Sequence, residues 1–496
     1  MKPQTLRIIL IATFAVALVA VLATRQSGAI HAAASPLPLA ADHESTMNDQ
    51  TDLAITVYNS NVALVRDTRD VSMPAGDFQL RFMDIASAVN PASVHVRALA
   101  NPEKLGVLEQ DYEYDLLDAA KMLDKYVGRE VTLLRTVKKD NSTAVEEVKA
   151  TLLANNAGGP VWRIGDAIQT GLTPDGYRFP ALPDNLYSHP TLVWTLNNTG
   201  AQRQKIEASY LANNVTWSAD YVLNIARDDS SASLDGWVTL VNNSGTAFKN
   251  AKLQLVAGEL NRVAPQAAGV AGAMQFEMRA AAPLPMQQES FAEYHLYTLN
   301  RRTSVFDKET KQVSMLTAPS FPVVKHFVVN GQSYYFRTRT QPGAAIKNPV
   351  QVYYKFKNEE KAGLGMPLPA GTIRAYQADS HGGALFIGED RIDHTPKDED
   401  VSIHVGDAFD IVAERKQTDY KNLGASTFES EYEITLRNHK DTAITVEVNE
   451  PIGGDWEFVG TPSFPGTKTA AFAAQFQVPV AKDGTAVLKY RVRVRY

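Results

Sequence analysis

Apolar and polar residues alternate every second position through most of this chain. Ala251, Leu253 and Leu255 alternate with Lys252 and Gln254. A period of two turns one face of a strand to a core and the other to water. Residues 234–262 read as a strand, a polar turn at Asn242, Asn243, Ser244 and Gly245, and a return strand. Asn and Gly accept the backbone angles such a turn needs. The phrase Thr-Leu-x-Asn closes the first arm at 239–242 and recurs at 195–198 and 435–438. Lys355, Phe356, Lys357 and Asn358 make a looser copy. Alternating runs follow: Ile206, Ala208 and Tyr210 after one copy, Ile444, Val446 and Val448 after another. The pattern predicts a hairpin repeated through stacked sheets.

The same reading divides the chain. Residues 35–52 are small, polar and Pro-containing, as in a flexible leader. Residues 53–190 read as an N-terminal β-rich domain. It carries one helix at 115–127, with Leu116, Ala120, Leu123 and Val127 on one face and Gly128 beyond its end. Short strands with small turns follow, from Val131 to Ile168, and suggest a small barrel-like insert. Residues 191–263 predict a central β-sandwich, either alone or paired with part of 291–345. Residues 264–290, rich in Ala, Gly, Gln, Met and Pro, read as a low-complexity linker or loop. Residues 291–496 predict a C-terminal β-sandwich region. In its last strand Leu488, Tyr490, Val492, Val494 and Tyr496 share one face. The fold class is therefore mainly β: several immunoglobulin-like sandwich modules, a barrel-like insert and one short helix.

Composition changes the picture at three points. At 496 residues there is room for about two to four domains. A net charge of −6 gives no basic excess for a nucleic-acid partner. The chain has no cysteine, which excludes disulfides, thiol catalysis and a lipoprotein anchor. The start is different in kind. Lys2 and Arg7 precede an apolar run, and Ala32, Ala33 and Ala34 precede Ser35. Residues 1–34 thus read as a signal peptide, with an uncleaved membrane anchor over 6–24 as the alternative. Either assigns the body to the periplasm or the outside, and gives the membrane a role only through this segment.

Candidate chemistry is sparse. The densest polar stretch, 389–414, offers Asp390, Asp393, His394, Asp407 and Asp410 as candidate catalytic groups, with Asp398, Glu399, Asp400 and His404 nearby. Clustered carboxylates can act as an acid and base pair, or bind calcium. Their spacing matches no ligand loop, so no metal is assigned and a structural role is preferred. A basic row, Lys489, Arg491, Arg493 and Arg495, could attract an anionic glycan or headgroup. Pairing across the sheet with Glu431 and Glu433, or with Glu447, is the favoured alternative. Five tryptophans could stack on sugars. Trp194 and Trp217 read as core, and Trp162, Trp237 and Trp456 are left open. No nucleophile elbow, zinc motif, phosphate loop or dinucleotide fingerprint occurs, and no cofactor is implied.

Several phrases resemble exported bacterial proteins that carry the domain of unknown function numbered 4139, akin to mucoidy-inhibitor-like relatives. They are Val57, Tyr58 and Asn59 with Leu64, Val65 and Arg66; residues 234–262, 363–371 and 386–414; residues 431–438; and the closing 490–496. The resemblance implies an extracytoplasmic β-rich protein and supplies no catalytic residues. The long coiled coil of the mucoidy-type members is missing from this sequence. Together these readings favour a binding or structural module of the cell envelope, with an envelope protein or glycan as partner. The alternative is a hydrolase of envelope polysaccharide or peptide that uses the carboxylates of 389–414; a calcium-stabilised scaffold is a third possibility.

Overall fold

Alternation becomes strand almost wherever it occurs. The computed structural model describes residues 40–113, 118–139, 142–183, 189–258, 286–291, 293–340 and 344–496. The segment read as a signal or anchor, and most of the low-complexity linker, lie outside the described residues. Five sheets share one continuous core. The first orders Ala40–Ser45, Gly76–Phe82, Thr191–Asn198 and Leu105–Glu113. A wide sheet runs from Gln287–Phe291 through Tyr294–Thr298, Phe248–Ala257, Gln50–Tyr58, Val62–Ser72 and Arg203–Asn213 to His95–Ala98. The central sheet orders Glu309–Pro322, Ser231–Asn242, Val215–Ile225, Gly371–Ala378 and Ala384–Ile392. A six-stranded linking sheet runs from Asp400–Asp407 through Gln351–Lys357, Val324–Asn330, Ile444–Pro451 and Ala473–Val480 to Gly466–Ala470. The C-terminal sheet orders Ala345–Asn348, Ile411–Asn422, Thr427–Asn438, Thr485–Arg495 and Asp455–Phe458.

The repeated unit is not a hairpin. Ser231–Asn242 belongs to the central sheet, and Phe248–Ala257 to the wide one. The same holds for Thr191–Asn198 and Arg203–Asn213, and for Thr427–Asn438 and Ile444–Pro451. Each Thr-Leu-x-Asn therefore closes a strand whose chain crosses to another sheet. Hairpin and crossing share one alternation, because both have an inward face; only the hydrogen-bond partner separates them.

The asparagine makes the corner. Asn198, Asn242, Asn358 and Asn438 are all buried. Asn242 Nδ2 donates to the Thr246 and Phe306 carbonyls at 2.9 and 3.0 Å, while its Oδ1 accepts Ser244 N–H at 3.1 Å. Asn198 accepts from Gly200 and donates to Ala201 and Pro74. Asn438 accepts from Lys440 and donates to Thr442 and Ala481. In the looser copy Asn358 accepts from Gly365 and donates to Met366 and Pro396, across a longer return. Each carboxamide satisfies the turn it begins and one passing segment, where a corner has no ladder to supply partners. Gly245 has φ +82°, and a Cβ there would lie 1.8 Å from Ser87 Oγ. Only glycine lets that corner seat on residues 84–88.

Four expectations are corrected. The leader 35–52 includes a strand, Ala40–Ser45, parallel to Gly76–Phe82. Buried Arg69 fixes it by donating to the Ser45 carbonyl at 2.8 Å. The helix spans Ala119–Lys125, capped by the Asp118 carboxylate. Its buried face is Leu123 with Tyr126, whereas Ala120 and Val127 are exposed and Leu116 lies outside the described residues. The insert is an open five-stranded sheet, not a barrel: its edge strands, Ala167–Thr170 and Gly176–Arg178, do not meet. Its own core gathers Leu133, Leu152 and Trp162. Finally, 53–190 and 191–263 are not separate bodies. Thr191–Asn198 lies between Gly76–Phe82 and Leu105–Glu113, and Arg203–Asn213 pairs with Val62–Ser72. Strands after residue 291 then complete the central and wide sheets.

Candidate functional site

The acid-rich stretch 389–414 is divided between sheets. Ala384–Ile392 is an edge of the central sheet, and Asp400–Asp407 an edge of the linking sheet. Their close approach needs glycine at 388, because a Cβ there would lie 2.2 Å from the Val405 carbonyl oxygen. Asp390 joins the two edges: its Oδ2 accepts His404 N–H at 2.7 Å. Asp407 Oδ1 lies 3.9 Å from His404 Nε2, a buried nitrogen with no hydrogen-bond partner among the described residues. The Tyr353 ring sits 5.1 Å from the His404 ring. Burial pushes the Tyr353 phenol up, and the Asp390 and Asp407 charges push it further.

The other candidates have different neighbours. His394 Nδ1 accepts the Ala370 N–H at 3.1 Å, which places a neutral ring's proton on Nε2. Asp393 accepts from Thr395 through its backbone carbonyl. Asp410 is exposed, and its carbonyl accepts from His439. Of the five acids and histidines singled out, Asp390 and Asp407 alone converge, on His404. Among the described residues no group of three or more His, Asp or Glu is arranged to hold a metal ion.

The basic row is engaged across its sheet. Arg491 meets Asp419, Glu429 and Glu431 at 2.7–2.9 Å. Arg493 meets Glu429 and Glu457, and Lys489 meets Glu433. Among the described residues no ion pair involves Arg495. Glu447 is in the linking sheet, bonded by Asn449 and Gln477. Burial pushes the Glu429 carboxyl up, but its bonds from Arg491 and Arg493 outweigh that and hold it below its usual range. An open groove of about 280 Å³ lies in this region, lined by Arg339, Thr340, Lys416, Gln417, Thr418, Asp419 and Tyr420.

The tryptophans separate by burial. Trp162, Trp194, Trp217 and Trp456 are buried, while Trp237 is half-buried. It lies on the central sheet with Asp235 and Thr239, on the face opposite buried Leu234, Val238 and Leu240. Sequence reasoning missed Tyr353 beside His404, and a buried pair, Arg415 with Glu450, in the core. Arg415 shares parity with Ile411 and Ala413, which marks it as inward; its partner, 35 residues away, leaves no local trace.

These features define a multi-sheet β protein whose polar chemistry is spread over sheet faces and edges. Residues 206–496, more than half of the chain, match the family described as Domain of unknown function (DUF4139). The chain belongs to this family. No curated protein matches it.

Proposed function

We propose that this chain is an exported binding or structural module of the cell envelope, carried out of the cytoplasm by residues 1–34. One observation carries the preference for a module over an enzyme. Asp390, the candidate acid that reaches across two sheets, is engaged in holding them together through the His404 N–H. A carboxylate that accepts a backbone N–H from the facing sheet has an architectural role at this joint. The experiment is affinity isolation from envelope extract, using the full chain and its Asp407→Asn variant. The proposal expects the same enriched component with both.

A hydrolase is the second reading, favoured by the meeting of Asp407, His404 and Tyr353. Release of soluble fragments from isolated envelope polymer by the wild type, abolished in Asp407→Asn, would establish that reading and overturn the first. Export has its own test. Cell fractionation should place the body outside the cytoplasm, and a cytoplasmic pool alone would refute it.

A further inference from the structure

The outer face of the central sheet is an ordered array with one aromatic anchor. Trp237 lies opposite Asp220 in the neighbouring strand, and Asp220 lies beside Thr372 in the next. A polar string runs past the indole. Gln312 Nε2 donates to Thr239 Oγ1 at 3.1 Å, and Thr239 Oγ1 donates to Asp220 Oδ2 at 2.7 Å. Arg374 bonds Asp220 at 3.1 Å and Glu389 at 3.2 Å. At the far corner the Tyr376 and Phe386 rings meet edge to face, 5.6 Å apart, with Phe386 55% exposed.

We propose that this face is a platform for an extended, uncharged oligosaccharide, with Trp237 as the stacking surface. The inference rests on the binding reading above and names its ligand class. Three features select that class. A flat indole beside fixed donors and acceptors suits a sugar, which has an apolar ring face and a rim of hydroxyls. Asp220, Asp235 and Glu389 stand against Arg374 and Arg391 on this face, so neither a polyanion nor a polycation meets a strong field. A protein-binding patch concentrates its apolar residues at the centre inside a polar rim. Here the aromatic rings stand at the two ends, and between them Val222 is the one apolar side chain beside Asp220, Asp235 and Arg374, with Thr239 and Gln312 beyond the indole. Tyr376 is two strands across and four positions along from Trp237, roughly 17 Å by sheet spacing. A ligand touching both ends is therefore an oligomer.

The test is calorimetric titration of the full chain with cellohexaose and with chitohexaose, and with an alginate hexamer as the charged comparison. The platform predicts binding of a neutral hexamer, roughly tenfold weakened by Trp237→Ala and partly restored in Trp237→Phe. It predicts no comparable binding of the alginate. Wild type and Trp237→Phe should melt close together, since phenylalanine keeps most of the ring packing of half-buried Trp237. A weaker affinity in that variant therefore reads the stacking surface and not the fold. Failure of both neutral hexamers to bind, or equal binding by Trp237→Ala, overturns it. Envelope affinity isolation separates the two levels. A partner, such as a protein, retained equally by wild type and Trp237→Ala would preserve the binding reading and refute the platform. Retention of nothing by either chain would count against both.

Discussion

Two buried ion pairs show how single residues specify this core. Arg69 bonds Asp67, the Ser45 carbonyl and the Met83 carbonyl, and lies 3.6 Å from the centre of the Phe82 ring. Arg415 bonds Glu450 and the Tyr490 hydroxyl, and is fully buried. Burial pushes the Glu450 carboxyl up, while Arg415 beside it opposes that shift. Removing one partner strands the other charge, which typically costs about 3–5 kcal/mol. Glu450→Ala should therefore lower the urea midpoint sharply. Asp229 gives a pH-dependent case. Burial alone would raise its carboxyl, but bonds from Tyr354, Lys325 and Gln377 prevail and hold it below its ordinary value of 3.8. A carboxylate depressed in the folded state stabilises fully above its unfolded pKa, and loses that contribution as pH falls through the folded one. The melting-temperature gap between wild type and Asp229→Asn should thus be widest near neutrality. It should close as pH falls below about 4. The sequence makes the inward parity of Arg415 legible through Ile411 and Ala413. It hides Glu450, because a partner across two sheets has no periodic signature.

At the scale of elements, strands were legible and their neighbours were not. Leu488, Tyr490, Val492 and Val494 are buried, as their alternation requires. The chain from 231–242 to 248–257 reads equally as hairpin or crossing, since each strand keeps one apolar face either way. Helix length failed for a related reason. Ala120 and Val127 fit the period, but Tyr126 takes the core position, closing on Phe179 and bonding the Ala181 carbonyl. Gly388 belongs to this scale too. With φ +155° and the Val405 backbone against it, Gly388→Ala should separate the two edge strands. Faster amide exchange at His404, whose N–H is held by Asp390, is the expected readout. Unchanged exchange there would show that the close approach does not depend on glycine.

Across the whole molecule, distant segments build each of the five sheets that share the main core, while the insert sheet is built locally from residues 130–178. The central sheet joins strands from 215–242, 309–322 and 371–392, so its outer face exists only when those regions are assembled. The family match begins at residue 206, yet Arg203–Asn213 lies between Val62–Ser72 and His95–Ala98 of the preceding region. The candidate acids were legible as a cluster in sequence, but the assembled sheets separate most of them. Four buried asparagines hold the crossings that make this interleaving possible. The most direct measurement is urea unfolding of Asn242→Ala beside wild type. Asn242 ties the corner between the central and wide sheets through several hydrogen bonds, each worth about 1 kcal/mol net. The midpoint should fall by the equivalent of about 3 kcal/mol. An unchanged midpoint would contradict the claim that these corners hold the stack together.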